Sequence, residues 1–180
     1  MPHQFGFGME ELKANLTLMS SLVNHQVQQA VNSLTRASSN IYKEIKLKDD
    51  EIDAFDELLQ VQCENMFALQ QPIANDLRFV ITSLMINNQL ERCGNISVSI
   101  ANRTKKINAH KNLILESGIV DMAKEAHKMI SQVIEAFLNS NLELANNVIV
   151  KDDKVDEQNS LVGASKNINF LCPALRDEIF

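Results

Sequence analysis

Apolar residues recur at every third or fourth position along most of the chain, which is the spacing of an amphipathic α-helix. The first such stripe covers 9–35, and a second covers 41–70 after a Ser-Ser-Asn sequence that suits a helix N-cap. Pro72 interrupts the pattern, because proline cannot continue a helix without losing a hydrogen bond. A third stripe then runs to about Arg103. The pattern therefore predicts three long helices in the first part of the chain.

Two further stripes follow a polar stretch and predict a fourth and a fifth helix. An Asn-Ser-Asn sequence at 139–141 separates them, and the periodicity is lost after Gly163. We therefore divide the chain into an N-terminal extension 1–8, a first three-helix module 9–104, a linker 105–114, a partial second module 115–162 and an unassigned tail 163–180.

The chain contains an internal repeat. Lys-Asp-Asp-Glu-Ile-Asp at 48–53 returns as Lys-Asp-Asp-Lys-Val-Asp at 151–156, and at the same offset Leu34 corresponds to Phe137. A repeat this long is typical of a duplicated helical module. The counterpart of the third helix would lie beyond Phe180. We expect an all-α fold of tandem three-helix bundles in which the second bundle lacks its last helix.

Composition agrees with an all-helical chain and narrows the classes of function. Only 5 Gly and 3 Pro occur among 180 residues, too few for the turns of a sheet protein. The formal net charge of -6 disfavours binding to nucleic acid phosphates. The three cysteines lack the spacing of a disulfide framework, and no apolar run is long enough for a membrane span or a signal peptide. These features predict a cytoplasmic protein without membrane insertion.

Carboxylates interrupt the predicted buried seam of two helices. Asp49 and Asp53 are four residues apart on the second helix, and so lie on one face. Glu91 and Asn95 repeat this spacing on the third helix. Carboxylates beside a core need pairing, hydrogen bonds or a cation, and oxygen donors from two facing helices can hold a hard metal ion.

The acidic pairs are equally compatible with roles that need no metal ion. They can belong to solvated helix faces, or form salt bridges to Arg78 and Arg92. A carboxylate-bridged helical metalloenzyme is a further alternative, although no histidine follows a glutamate at the Glu-x-x-His spacing of di-iron bundles. Neither a phosphate-binding loop nor a nucleophile with an evident base is present in the sequence.

Three motifs make the chain resemble the PhoU family of phosphate-transport regulators. They are the acidic motif at 48–53, Ala-Leu-Gln-Gln-Pro-Ile-Ala-Asn-Asp-Leu-Arg at 68–78, and Leu-Glu-Arg-Cys-Gly-Asn at 90–95. The resemblance implies tandem three-helix bundles in a non-enzymatic cytoplasmic regulator. It also implies negative regulation through contacts with a phosphate transporter ATPase and a phosphate-sensing histidine kinase.

The same resemblance implies carboxylate motifs that bind metal clusters, with Fe, Zn, Mn or Mg as candidate ions. The positions that match the family's ligands are Asp49, Asp53, Glu91, Asp152 and Asp156, and the amide Asn95 completes the set of candidate ligands. Asn95 stands where the family has aspartate, and Gln89 where it often has one. Two neutral amides in place of anions should weaken metal binding.

Two expectations follow from these departures. A chain that has lost anionic ligands is also compatible with a degenerate paralogue that folds but no longer regulates. A second module without its third helix would leave apolar stripes uncovered, which favours self-association, for example as a homodimer.

Overall fold

The computed structural model describes residues 2–36, 38–107 and 111–164. Over these ranges the protein consists of six α-helices without a β-strand, and none of the helices is long and apolar enough to cross a membrane. The helices are α1 (Pro2–Thr35), α2 (Ser39–Asn65), α3 (Ala74–Ile107), α4 (Lys111–Glu116), α5 (Ile119–Leu138) and α6 (Leu142–Ala164). A π-helical segment, Met66–Gln70, continues α2. The predicted all-α fold is confirmed.

The first three helices pack against one another as a three-helix bundle. Its core is formed by the apolar stripes that the sequence pattern marks, including Leu16 and Met19 of α1, Ile52 and Leu59 of α2, and Val80 of α3, all of them buried. Burying one such side chain stabilises a fold by about 1.5–3 kcal/mol. This shared core fixes the positions of α2 and α3, which carry the acidic residues.

Short-range signals in the sequence set the helix ends in the bundle. The hydroxyl of Ser38 accepts a hydrogen bond from the backbone N–H of Asn40 at 3.2 Å, which caps α2. The π-helical segment ends at Gln70, and the left-handed backbone of Gln71 (φ 48°) stops the helix before Pro72. Asp76 lies in the first turn of α3, where a negative charge is favourable. These ends agree with those predicted from the sequence.

The remaining helices form a layer against one side of the bundle. Helix α5 packs on α1, the short α4 contacts both of them, and α6 packs on α5. The rings of Phe79 on α3 and Phe137 on α5 are stacked with centroids 4.9 Å apart. The ammonium of Lys151 on α6 donates a hydrogen bond to the Gln132 side chain on α5 at 2.8 Å. Helix α6 is therefore attached to the bundle chiefly through α5.

Helices α1 and α3 extend further than the sequence pattern predicts, whereas the predicted fourth helix, expected to begin at 115, is divided before left-handed Gly118 into α4 and α5. Residues 2–8, expected as a separate extension, belong to α1, and α3 continues past Arg103 to Ile107. The expected linker 105–114 is occupied at its two ends by α3 and α4, while 108–110 lie outside the described residues. Lys105 and Lys106 are favourable in the last turn of a helix, which explains why a polar sequence continues α3. Of the unassigned tail, α6 includes 163–164, and 165–180 lie outside the described residues.

Candidate functional site

Asp49 is held in place by a buried glutamine of a neighbouring helix. The side-chain N–H of Gln26 on α1 donates to Asp49 Oδ1 at 3.1 Å and to the backbone oxygen of Ile45 at 3.0 Å. Gln26 is fully buried, whereas Asp49 is half-buried. A hydrogen bond to a charged group contributes about 1.5–3 kcal/mol. The α1–α2 contact therefore orients this carboxylate.

A glycine on α3 makes room for the same glutamine. A Cβ on Gly94 would lie 3.1 Å from Gln26 Oε1 and 3.5 Å from two carbons of Ile52. A side chain at this position would have to push the Gln26 amide aside by a few tenths of an ångström, so glycine favours this close approach of α3. The contact brings the segment with Glu91 and Asn95 next to the segment with Asp49 and Asp53.

Sequence reasoning missed Gln26, although a signal was present. Gln26 lies three residues after Val23 and four residues before Ala30, both of which are buried. Helical spacing therefore places it on the apolar face of α1. A side-chain amide on such a face needs a hydrogen-bond partner, and Asp49, which interrupts the apolar stripe of α2, supplies one.

The second predicted pair, Glu91 and Asn95, is joined by its own hydrogen bond. The side-chain N–H of Asn95 donates to Glu91 Oε1 along one face of α3. Glu91 is half-buried and Asn95 is exposed. An aspartate at 95 would repel Glu91, so the amide stabilises this pair without any cation.

Asp53 is exposed and stands among other acids. Desolvation, and then the negative charges of Asp49, Asp50 and Asp56, raise the pKa of Asp53 above its ordinary value. A cation placed between these carboxylates would relieve the repulsion. Within the described ranges, however, no group of three acidic, histidine or cysteine side chains lies close enough to hold one metal ion. The metal site therefore stays a prediction.

Asp56 continues the acidic face and has a structural partner. Asn87 on α3 is fully buried, and its side-chain N–H donates to the Asp56 carboxylate at 2.6 Å and to the Asp56 backbone oxygen at 3.2 Å. Gln60 donates to the other carboxylate oxygen at 2.6 Å. Like Asp49, this carboxylate is satisfied by amides from its surroundings.

The remaining predicted ligands and partners lie elsewhere. Asp152 and Asp156 are both exposed on α6, away from the seam between α2 and α3. Arg78 and Arg92 come within ion-pair distance of no carboxylate in the part of the chain that is described. The alternative in which these arginines pair with the acids is therefore not realised among the described residues, where Gln26 bonds to Asp49 and Asn95 bonds to Glu91.

Similarity to a known family extends over the α1–α3 bundle and over α5 and α6. The family model for the PhoU domain matches residues 16–104 and 119–168, so the second match begins 103 residues after the first. This is the same offset as that of the repeated acidic motif.

Individual relatives agree with the family match. A phosphate-specific transport system accessory protein PhoU homolog from Clostridium acetobutylicum is 33% identical over 84% of this chain and 70% of its own length. A protein of the same description from Aquifex aeolicus is 31% identical over 83% of this chain and 67% of its own length. The chain is thus similar to these accessory proteins over most of its length.

A solved structure shares the fold. The crystal structure of PhoU from Pseudomonas aeruginosa superposes with a TM-score of 0.83, covering 96% of this chain and 82% of that chain at 24% identity. The family model, the relatives and the fold agree, and together they show that the chain belongs to the PhoU family.

Proposed function

We propose that this protein restrains phosphate uptake and phosphate-responsive signalling when phosphate is plentiful. In this proposal it acts by contact with a phosphate transporter ATPase and with a phosphate-sensing histidine kinase, on the cytoplasmic side of the membrane. The observation that carries the proposal is the family match over α1–α3 and α5–α6, with relatives named as accessory proteins of the phosphate-specific transport system.

Surface properties support an action by protein contact. Leu69 and Ile73, at the connection between α2 and α3, are 79% and 77% exposed. Two large apolar side chains this exposed at one end of a bundle favour contact with another protein. The negative net charge likewise favours a protein partner over nucleic acid.

A separate part of this proposal is that a metal ion binds at the seam between α2 and α3. Asp49, Asp53 and Glu91 would supply carboxylate oxygens and Asn95 an amide oxygen, which suits Mn²⁺ or Mg²⁺ better than softer ions. Isothermal titration with Mn²⁺ tests it. We expect weak binding, tighter binding for Asn95→Asp, and none for the double variant Asp49→Asn with Asp53→Asn. No heat of binding in the wild type and in Asn95→Asp would remove the metal from the account.

A bacterial strain that lacks its own PhoU-like regulator tests the regulatory proposal. The strain would express this chain in phosphate-rich medium, with alkaline phosphatase activity as the readout. We expect repression of the enzyme to return. Persistent derepression, with the protein folded and abundant, would contradict the proposal and favour a paralogue that no longer regulates. The metalloenzyme alternative would require a bound metal and an activity that depends on it.

A further inference from the structure

Basic residues are concentrated at the end of the bundle where α1 ends, α2 begins and α3 ends. One buried residue from each helix meets the others there, namely Ala30, Ile45 and Ala101. At a rise of about 1.5 Å per residue, five exposed cations lie within about 10 Å of this level along the bundle. We call this group the basic end, and its members are Arg36, Lys43, Arg103, Lys105 and Lys106.

Positive charge predominates at the basic end, although the whole chain carries a net charge of -6. None of its five cations lies within ion-pair distance of a carboxylate in the described ranges. On the adjoining segments, the Glu44 carboxylate lies 3.7 Å from His25, and Asp121 pairs with Lys124 at 3.1 Å. Glu116 of α4 is the other exposed acid there. The five cations are therefore available to an external anion.

The acidic face of α2 is set apart from the basic end. Beyond Glu44, the acids of α2 begin at Asp49, six residues after Lys43, which is about 9 Å along the helix. The screening length at physiological ionic strength is about 8 Å, so these carboxylates repel an anion at the basic end only weakly. The net charge of the whole chain therefore does not prevent anion binding at this end.

Exposed leucines adjoin the cations. Ile114 of the short α4 packs with Leu34 near the end of α1, and Ile100 of α3 packs against the same cluster. Leu113 and Leu115, on either side of Ile114, are 36% and 49% exposed. A face that combines cations with exposed apolar side chains suits a membrane surface, where leucines enter the headgroup region and cations contact anionic headgroups.

We propose that the basic end docks on the surface of a membrane that contains anionic lipids. Its cations are spread over the ends of three helices, so a flat array of headgroups can contact all of them, whereas a single acidic peptide can contact only a few. Docking is peripheral, with the leucines of α4 at headgroup depth. This inference goes beyond the proposed function and is argued from these residues alone.

Sedimentation of the purified protein with lipid vesicles tests the docking. The vesicles contain phosphatidylcholine alone, or equal parts of phosphatidylcholine and phosphatidylglycerol. We expect binding to the anionic vesicles only, in about 0.1 M salt, and release in about 1 M salt, where the screening length falls to about 3 Å. Inorganic phosphate at unchanged ionic strength should not release the protein. Equal binding to both kinds of vesicle, no binding to either, or release by phosphate would overturn the proposal.

Two double variants with the same change in net charge provide a matched pair. Lys105→Gln with Lys106→Gln removes two cations of the basic end, and we expect affinity for the anionic vesicles to fall at least about tenfold. Lys13→Gln with Lys128→Gln removes cations near the start of α1 and in the middle of α5, and should bind like the wild type. Equal affinity of the two double variants would contradict docking through the basic end.

Other occupants of the basic end are distinguished by the same protein. Lys105→Arg with Lys106→Arg keeps both charges and should bind the vesicles like the wild type. Binding to polyglutamate or to a single-stranded oligonucleotide, without binding to anionic vesicles, would overturn the proposal in favour of another class of partner. Absence of vesicle binding while alkaline phosphatase repression is intact would reject the docking and leave the regulatory function standing.

Discussion

His127 on α5 contacts Asn24 on α1, and the two residues are 103 positions apart in the chain. The imidazole Nε2 lies 3.1 Å from the Asn24 backbone oxygen, and because a carbonyl only accepts, this nitrogen donates. The hydroxyl of Ser131 also donates to Asn24 Oδ1 at 2.9 Å. The offset of 103 is also that of the repeated acidic motif and of the two family-model matches.

Equivalent positions of the two repeats therefore meet across the α1–α5 contact. In a two-fold arrangement, residues near the rotation axis contact their own equivalents. The contact between positions 24 and 127 indicates that α1 and α5 pack through equivalent faces. The duplication in sequence thus has a counterpart in how the two helical groups are joined.

Loss of the His127 hydrogen bond should loosen the attachment of α5. For His127→Ala we expect the free energy of unfolding in urea to fall by about 0.5–1.5 kcal/mol. Amide hydrogen exchange should become faster in α5 and α6 and stay unchanged in the α1–α3 bundle. His25→Ala is the control, because His25 is exposed and lies 3.7 Å from Glu44. An equal effect of both variants would show that the α1–α5 hydrogen bond contributes nothing.

Gly94→Ala should destabilise the seam between α1, α2 and α3. Gln26 cannot move away from the new methyl group without straining its bonds to Asp49 and Ile45. Overpacking costs about 1–3 kcal/mol, and the better helix propensity of alanine offsets about 1 kcal/mol of this. We expect a net loss of up to about 2 kcal/mol in urea denaturation. Gly6→Ala, in open space, should be neutral or stabilising, and a stabilised Gly94→Ala protein would refute the tight contact.

The raised pKa of Asp53 predicts the direction in which the stability of the protein changes with pH. Because the folded protein raises the pKa of Asp53, it binds this proton more tightly than the unfolded chain does, and ionised Asp53 opposes folding at neutral pH. Asp53→Asn should therefore be more stable than the wild type at pH 7, by about 0.2–0.5 kcal/mol for relief of like charges. The difference should shrink as the pH falls through the raised pKa towards the ordinary aspartate value of 3.8.

Urea denaturation of wild type and Asp53→Asn across the acidic and neutral pH range measures this difference, with Asp153→Asn on α6 as the control. Asp153 is an exposed acid on α6, so its replacement makes the same change in net charge without altering α2. The same pH profile for both variants would mean that repulsion within α2 is not the cause.

Self-association should involve the layer formed by α5 and α6. Val133, Ile149 and Val150 are large apolar residues that are 44%, 62% and 55% exposed. We propose that a second copy covers them, and expect a dimer by light scattering at micromolar concentration. Ile149→Lys should shift the dimer to monomer, whereas Leu47→Lys, at a similarly exposed apolar position on α2, should not. A monomeric wild type would contradict this proposal.

Apolar periodicity was sufficient to predict the helices of the bundle, because α1, α2 and α3 each bury apolar side chains along one face. Residues such as Leu16, Ile52 and Val80 are buried as their spacing requires. The α1 start at Pro2 was missed because Gly6 and Gly8 lower helix propensity. The partners of the acids were harder to predict. Spacing places Asp49 on a helix face, but whether Gln26 or an arginine reaches it depends on how α1 packs against α2.

Direct binding to the proposed partners is the most decisive measurement. The purified protein would be titrated by interferometry against the phosphate transporter ATPase and the cytoplasmic part of the phosphate-sensing histidine kinase of the same organism. The account predicts saturable binding to at least one of them, with a Kd of about 10 μM or tighter. The absence of saturable binding to both, at up to about 100 μM of folded protein, would contradict regulation by direct contact.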